Sequence, residues 1–167
     1  MIERDLSKHI EKQLVTSLSD LPRTRRFYGR ELELENMVNL LEHQSGSILV
    51  PGIAGIGKTS LSAKLIESFT HRRNLLYHRC QDWEGSRAFL EAMAEWLSAM
   101  GSDDLSDYLA SSPVPQPQMA VNLMSEALST SPALGVIDDL HKVGDETLIS
   151  VLRGLALKIP ELENVGL

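Results

Sequence analysis

Cysteine is nearly missing from this chain: Cys80 is the one copy in 167 residues. No intramolecular disulfide can form, so nothing calls for an oxidising compartment. Basic residues are outnumbered 16 to 23, giving a net charge of −7. That balance argues against a dominant nucleic-acid-binding face. Arg23, Arg25, Arg26 and Arg30 form the basic cluster of note, read as a solvated connector rather than a phosphate-backbone contact. No apolar run approaches the ~18 residues of a membrane span. The start, MIERDLSKHIEK, is charged from its third residue and does not resemble a signal peptide. The expectation is a cytoplasmic protein with no membrane partner.

Against these absences stands an ordinary globular composition, 43% hydrophobic and 23% charged, at a length suited to one domain. Ile2, Leu6, Ile10, Leu14 and Leu18 recur at steps of four, which predicts an amphipathic helix over 2–18. That helix and its connector are assigned to residues 1–22, and a single further domain to 23–167. A helix is expected after FYGRELE, a strand over Ser47–Val50, and a helix over Lys58–Phe69. A second strand follows at Leu75–Cys80, then a helix over Gly85–Met100. Ser111–Gln118 (SSPVPQPQ) reads as an extended, exposed loop. A helix from about Met119 to Leu128, a strand over Ala133–Ile137 and a helix over Asp145–Ile159 complete the chain. Strands alternating with helices imply crossover units and a parallel sheet with helices on both faces.

The chemistry sits between the first strand and the next helix. Gly52-Ile53-Ala54-Gly55-Ile56-Gly57-Lys58-Thr59 fits G-x-x-x-x-G-K-[ST] at every fixed position. Glycines permit close backbone approach to a ligand, and successive N–H groups, with Ser60 next in line, form an anion nest at the helix start. Lys58 is expected to reach the β and γ phosphates, and the Thr59 hydroxyl to ligate Mg²⁺. Val136-Ile137-Asp138-Asp139, an apolar strand ending in acid, is the matching Walker B pattern. Asp138 is read as the residue holding Mg²⁺, against the alternative that it caps a turn. Asp139 is the candidate for polarising the attacking water, or is solvated and idle. His141 is a surface residue or a γ-phosphate contact. His78 and Cys80 form H-x-C and are read as structural, because metal binding needs more ligands at suitable spacing than the sequence displays.

Three ordered motifs now stand together. FYGRELE (Phe27–Glu33), GIAGIGKTSL and VIDDLH resemble the corresponding motifs of the signal-transduction ATPases with numerous domains, the STAND class. The resemblance implies a three-layer P-loop NTPase core of the AAA+ kind, binding ATP or ADP with Mg²⁺ and working as a switch. It also places Phe27, Tyr28, Gly29 and Arg30 at the adenine, where the residue-level alternative is that Phe27 and Tyr28 staple the chain onto the next helix. Members of the class continue into a sensor strand, a lid and a winged helix, whereas this sequence reaches PELENVGL where that strand would start. The comparison therefore implies a core incomplete at its C-terminal end, weak ATPase turnover, and a protein partner or self-association through an incomplete sheet edge. The alternative is an AAA+ loader or motor ATPase acting on nucleic acid, against which the acidic charge weighs.

Overall fold

The computed structural model describes residues 14–18, 21–22 and 27–167. In chain order the elements are β1 (Thr16–Ser17), α1 (Glu31–His43), α2 (Lys58–Phe69), β2 (Asn74–Arg79), α3 (Ser86–Ala99), α4 (Asp104–Ser111) and α5 (Pro117–Leu128). β3 (Ala133–Asp138), α6 (Glu146–Lys158) and β4 (Val165–Gly166) follow. The sheet has four strands in the order β1-β2-β3-β4, all parallel. Helices cover both faces, so the fold is the expected three-layer α/β arrangement.

Alternation along the central strands decides what each face receives. Leu75 and Tyr77 of β2, with Leu134 and Val136 of β3, pack with Leu41 of α1 and with Leu65, Ile66 and Phe69 of α2. Leu76 and Ala133 point the other way, into a larger core with Phe89, Leu90 and Met93 of α3, Val121 and Met124 of α5, and Leu148 and Leu155 of α6. The register sets Tyr77 opposite Val136 and Arg79 opposite Asp138. Both strands therefore bring their odd and even faces into step at the end where the acidic pair lies.

Three expectations need correction. Residues 14–18 are not the end of a helix: Thr16 and Ser17 pair with Leu75 and Leu76. Leu75 N donates to Val15 O at 2.8 Å, and Val15 N donates to Asn74 Oδ1 at 2.9 Å. A step of four satisfies a period of two as well as one of 3.6, and here Val15 packs on one core and Leu18 on the other, as a strand requires. The rest of the expected helix, 2–13, lies outside the described residues. Ser47–Val50 does not form a regular strand; instead residues 46–48 run beside β4. Gly46 N donates to Val165 O, Leu167 N to Gly46 O, and Ile48 N to Leu167 O.

The proline-rich loop is shorter and less exposed than expected. Pro117 opens α5 at its first turn, where its missing N–H is no loss. Pro115 is buried, and Gln116 N donates to Tyr108 Oη at 2.8 Å, tying the loop to α4. α4 is a helix where the sequence pattern predicts none. It has eight residues and holds on through Leu105 and Leu109, one turn apart and both buried.

α5 and α6 touch closely at Gly154, where an added Cβ would lie 2.9 Å from Val121 Cγ2. Alanine usually improves a helix interior over glycine by about 0.5–1 kcal/mol. Val121 is 2% exposed, and its β-branched side chain has little rotamer freedom in a helix. Overpacking of about 1–3 kcal/mol should therefore win. Gly154→Ala is expected to lower stability by about 1 kcal/mol in urea denaturation, and a gain in stability would show that the two helices are free to separate.

Candidate functional site

The loop from Pro51 to Gly57 leads directly into α2, whose N-cap is Gly57 in the left-handed region at φ +90°. Gly55 is also left-handed, at φ +80°. A side chain at either position would be strained, and these turns are what let successive backbone N–H groups face one side. Residues 52–56 are exposed, whereas Gly57, Lys58, Thr59 and Ser60 are half-buried. The Lys58 ammonium folds back over the loop and donates to Gly52 O at 2.7 Å and Ile53 O at 3.0 Å. The loop thus holds its own cation through two backbone carbonyls just before the positive end of α2.

The second half of the site is the end of β3. Asp138 is 7% exposed, a buried carboxylate that needs hydrogen bonds to stay there. It has them. Thr59 Oγ1 donates to Asp138 Oδ2 at 2.7 Å, joining the loop helix to the strand. Tyr77 Oη donates to the same oxygen at 2.7 Å, and Asp139 N donates to Oδ1 at 2.8 Å. Burial first, then the hydrogen bond to Asp138, raise the Tyr77 hydroxyl well above its ordinary range, so it remains a donor.

Tyr77 is the site residue that the sequence reading missed. A polar-tipped aromatic inside an apolar strand run, LLYH, was the available signal, because a buried tyrosine hydroxyl needs a partner. Its partner could not be named without the β2–β3 register.

The Asp139 side chain stands apart from this network, although its amide belongs to it. It takes a left-handed backbone, φ 55° and ψ 31°, which turns its side chain away from that of Asp138. Arg79 Nε donates to Asp139 Oδ2 at 2.9 Å, and Lys142 Nζ lies 3.1 Å from that oxygen. Partial burial pushes the Asp139 carboxyl up, but the hydrogen bonds from Arg79 and Lys142 outweigh it and hold the group below the usual carboxylate range. His141 is exposed beside it.

The segment before α1 reaches the same loop. Arg30 forms a two-pronged contact with Glu33, at 2.7 and 3.0 Å, and its Nη1 lies 3.5 Å from Ile56 O, at the long limit of a hydrogen bond. Tyr28 is 79% exposed, Phe27 is half-buried, and Gly29 is left-handed at φ +79°. The structure therefore gathers Arg30, the 52–60 loop, Tyr77 and Asp138 at one end of the sheet. Tyr28, two residues before Arg30, stays in solvent.

Removing the Tyr77 hydroxyl tests how far Asp138 depends on it. Tyr77→Phe keeps the ring and removes a donor to a buried carboxylate, an interaction worth about 1.5–3 kcal/mol. The variant should lose stability of that order in chemical denaturation, with far-ultraviolet dichroism unchanged. Wild-type stability would mean that Thr59 and the Asp139 amide hold the carboxylate without help.

Comparison with curated proteins and with solved structures gives no match. A family model described as AAA ATPase domain matches residues 26–165. That span takes in the Arg30 segment, the phosphate loop and the Asp138 strand whose contacts are set out above. The chain belongs to the AAA ATPase domain family, P-loop ATPases of the AAA+ type.

Proposed function

We propose that this chain is the nucleotide-binding module of a STAND-type switch, holding ATP or ADP with Mg²⁺ and hydrolysing slowly. The observation that carries the reading is the 2.7 Å contact between Thr59 Oγ1 and Asp138 Oδ2. It sets two hard oxygen ligands, one from the loop helix and one from the strand, side by side next to an anion nest. Such oxygens suit Mg²⁺, which takes few protein ligands and keeps its waters. When bound, the ion neutralises charge on the β and γ phosphates. Thr59 would hold it directly and Asp138 through water, with Tyr77 keeping the Asp138 carboxylate in place.

The remaining roles belong to the chain's own groups. The N–H groups of 52–60 would bind phosphate oxygens, and Lys58 would exchange its contacts with Gly52 O and Ile53 O for phosphate. Tyr28, which is exposed, and Arg30, which Glu33 anchors, would meet the adenine base. The link from Arg30 to Ile56 O gives the FYGRELE segment a route to the phosphate loop, which favours a switch. Asp139 would orient the attacking water. Its pairing with Arg79 and Lys142 lowers its basicity and favours slow turnover over fast.

Calorimetric titration with Mg-ATP and Mg-ADP should give dissociation constants on the order of micromolar, about −8 kcal/mol. Lys58→Ala should abolish binding. Turnover should stay below about 1 s⁻¹, under the range common for phosphoryl-transfer enzymes. Asp139→Asn should reduce it by about 10²-fold or more with binding unchanged. Equal affinity of wild type and Lys58→Ala would overturn the nucleotide site, and brisk turnover would overturn the switch.

A further inference from the structure

The opposite face of the sheet carries a second cluster that the nucleotide reading does not use. His78 and Cys80 are two residues apart at the end of β2, so extended backbone points both side chains to the same side. That side is the α3 face, where His78 meets the Phe89 ring edge to face at 5.1 Å. The following turn then brings Glu84 back over them. The ligand atoms of His78, Cys80 and Glu84 all lie within 4.8 Å of one another. Cys80 is fully buried, and the His78 and Glu84 side chains are 14% and 10% exposed. His78 Nε2 is buried 2.9 Å from Glu84 Oε1, yet it has no hydrogen bond of acceptable geometry. His78 and Cys80, which the sequence reads as structural, are joined here by Glu84 from the turn.

We propose that His78 Nε2, Cys80 Sγ and the Glu84 carboxylate form a three-ligand site for a zinc-class divalent ion, with a fourth position left for water. The donor set decides the metal class. A thiolate with an imidazole selects Zn²⁺ over Mg²⁺ or Ca²⁺, which take oxygen ligands. Tetrahedral coordination at about 2.0–2.3 Å from the ion needs the 2.9 Å His78–Glu84 pair to open slightly, while ligand atoms near the 4.8 Å limit close in. Binding replaces the thiol proton with the metal: the S–H bond breaks, the sulfur keeps the electron pair and bonds the ion, and the proton leaves to solvent. Burial, with Glu84 adding to it, pushes the Cys80 thiol up to about 11, so without an ion the group is an inert thiol.

The site would clip the end of β2 to the turn that leads into α3. Cys80 N also donates to Asp138 O at 3.0 Å, so the clipped segment is bonded to the backbone of the acidic pair on the nucleotide side. An ion held there would stabilise the strand end that positions Asp138. At a hundredfold excess over its dissociation constant it would raise the melting temperature by about 5–10 °C.

Cobalt(II) is the probe, added to the reduced protein in excess Mg²⁺. Cys80 is the one cysteine in the chain, so a sulfur-to-cobalt charge-transfer band reports on this thiol alone. The expected result is that band at one equivalent, with the intense visible absorption of tetrahedral cobalt and displacement by zinc. Cys80→Ser should lose the band, and His78→Gln and Glu84→Gln should each weaken binding about tenfold or more. A folded wild-type protein with no thiolate band would overturn the site. So would a His78→Gln, Glu84→Gln double variant that binds cobalt as tightly as wild type, since that is a lone thiol. Because the probe is read without nucleotide, its failure would leave the phosphate-loop reading untouched.

Discussion

The buried carboxylate of Asp138 is the constraint from which much of this molecule can be derived. Its oxygens accept from Thr59 on α2, Tyr77 on β2 and the Asp139 amide. A buried carboxylate without donors would be too costly to keep, so the helix after the phosphate loop and the neighbouring strand are both drawn to the end of β3. The glycine loop then has a fixed orientation relative to the acid. The same turn that donates the Asp139 amide rotates the Asp139 side chain toward Arg79 and Lys142. Two adjacent aspartates therefore have different environments, one fed by neutral donors and one by cations.

Strand parity divides the chemistry between two faces. Tyr77 and Asp138 share the side covered by α1 and α2, while His78 and Cys80 fall on the side covered by α3 to α6. The larger core lies on that second side, with Phe89, Leu90, Met93 and Met124 almost inaccessible. Cys80 N donates to Asp138 O, which ties the backbone just after β2 to the end of β3.

Reading the residues in order recovered most of the architecture where local signals agreed. The bounds of Lys58–Phe69 are legible because the glycines, an apolar stripe and the apolar run before them all point to a helix starting there. The helices at 86–99 and 146–158 were placed within a residue at each end, the latter helped by Asp145, whose side chain accepts from Leu148 N. Failures occurred where a local pattern admitted two structures. Leu14 and Leu18 fit a helix or a strand, and pairing with Leu75 and Leu76 chose the strand. The prolines of 113–117 forbade a continuous helix across them but could not say that Pro115 would be buried and Pro117 would open α5.

By itself the sequence determined the phosphate loop, because the loop is a contiguous run whose glycines and lysine act on the backbone next to them. It likewise determined the alternation of strands and helices that makes the sheet parallel. Only the tertiary structure decided which partners the loop would have. Tyr77 and Asp138 are 61 residues apart in the chain, as Thr59 and Asp138 are 79 apart, and no periodicity records a contact over such distances. The same holds for His78, Cys80 and Glu84, close in sequence yet joined only because the chain turns back over the end of β2. Local backbone preference is written residue by residue; convergence of side chains depends on register and on burial, which exist only once the sheet has formed.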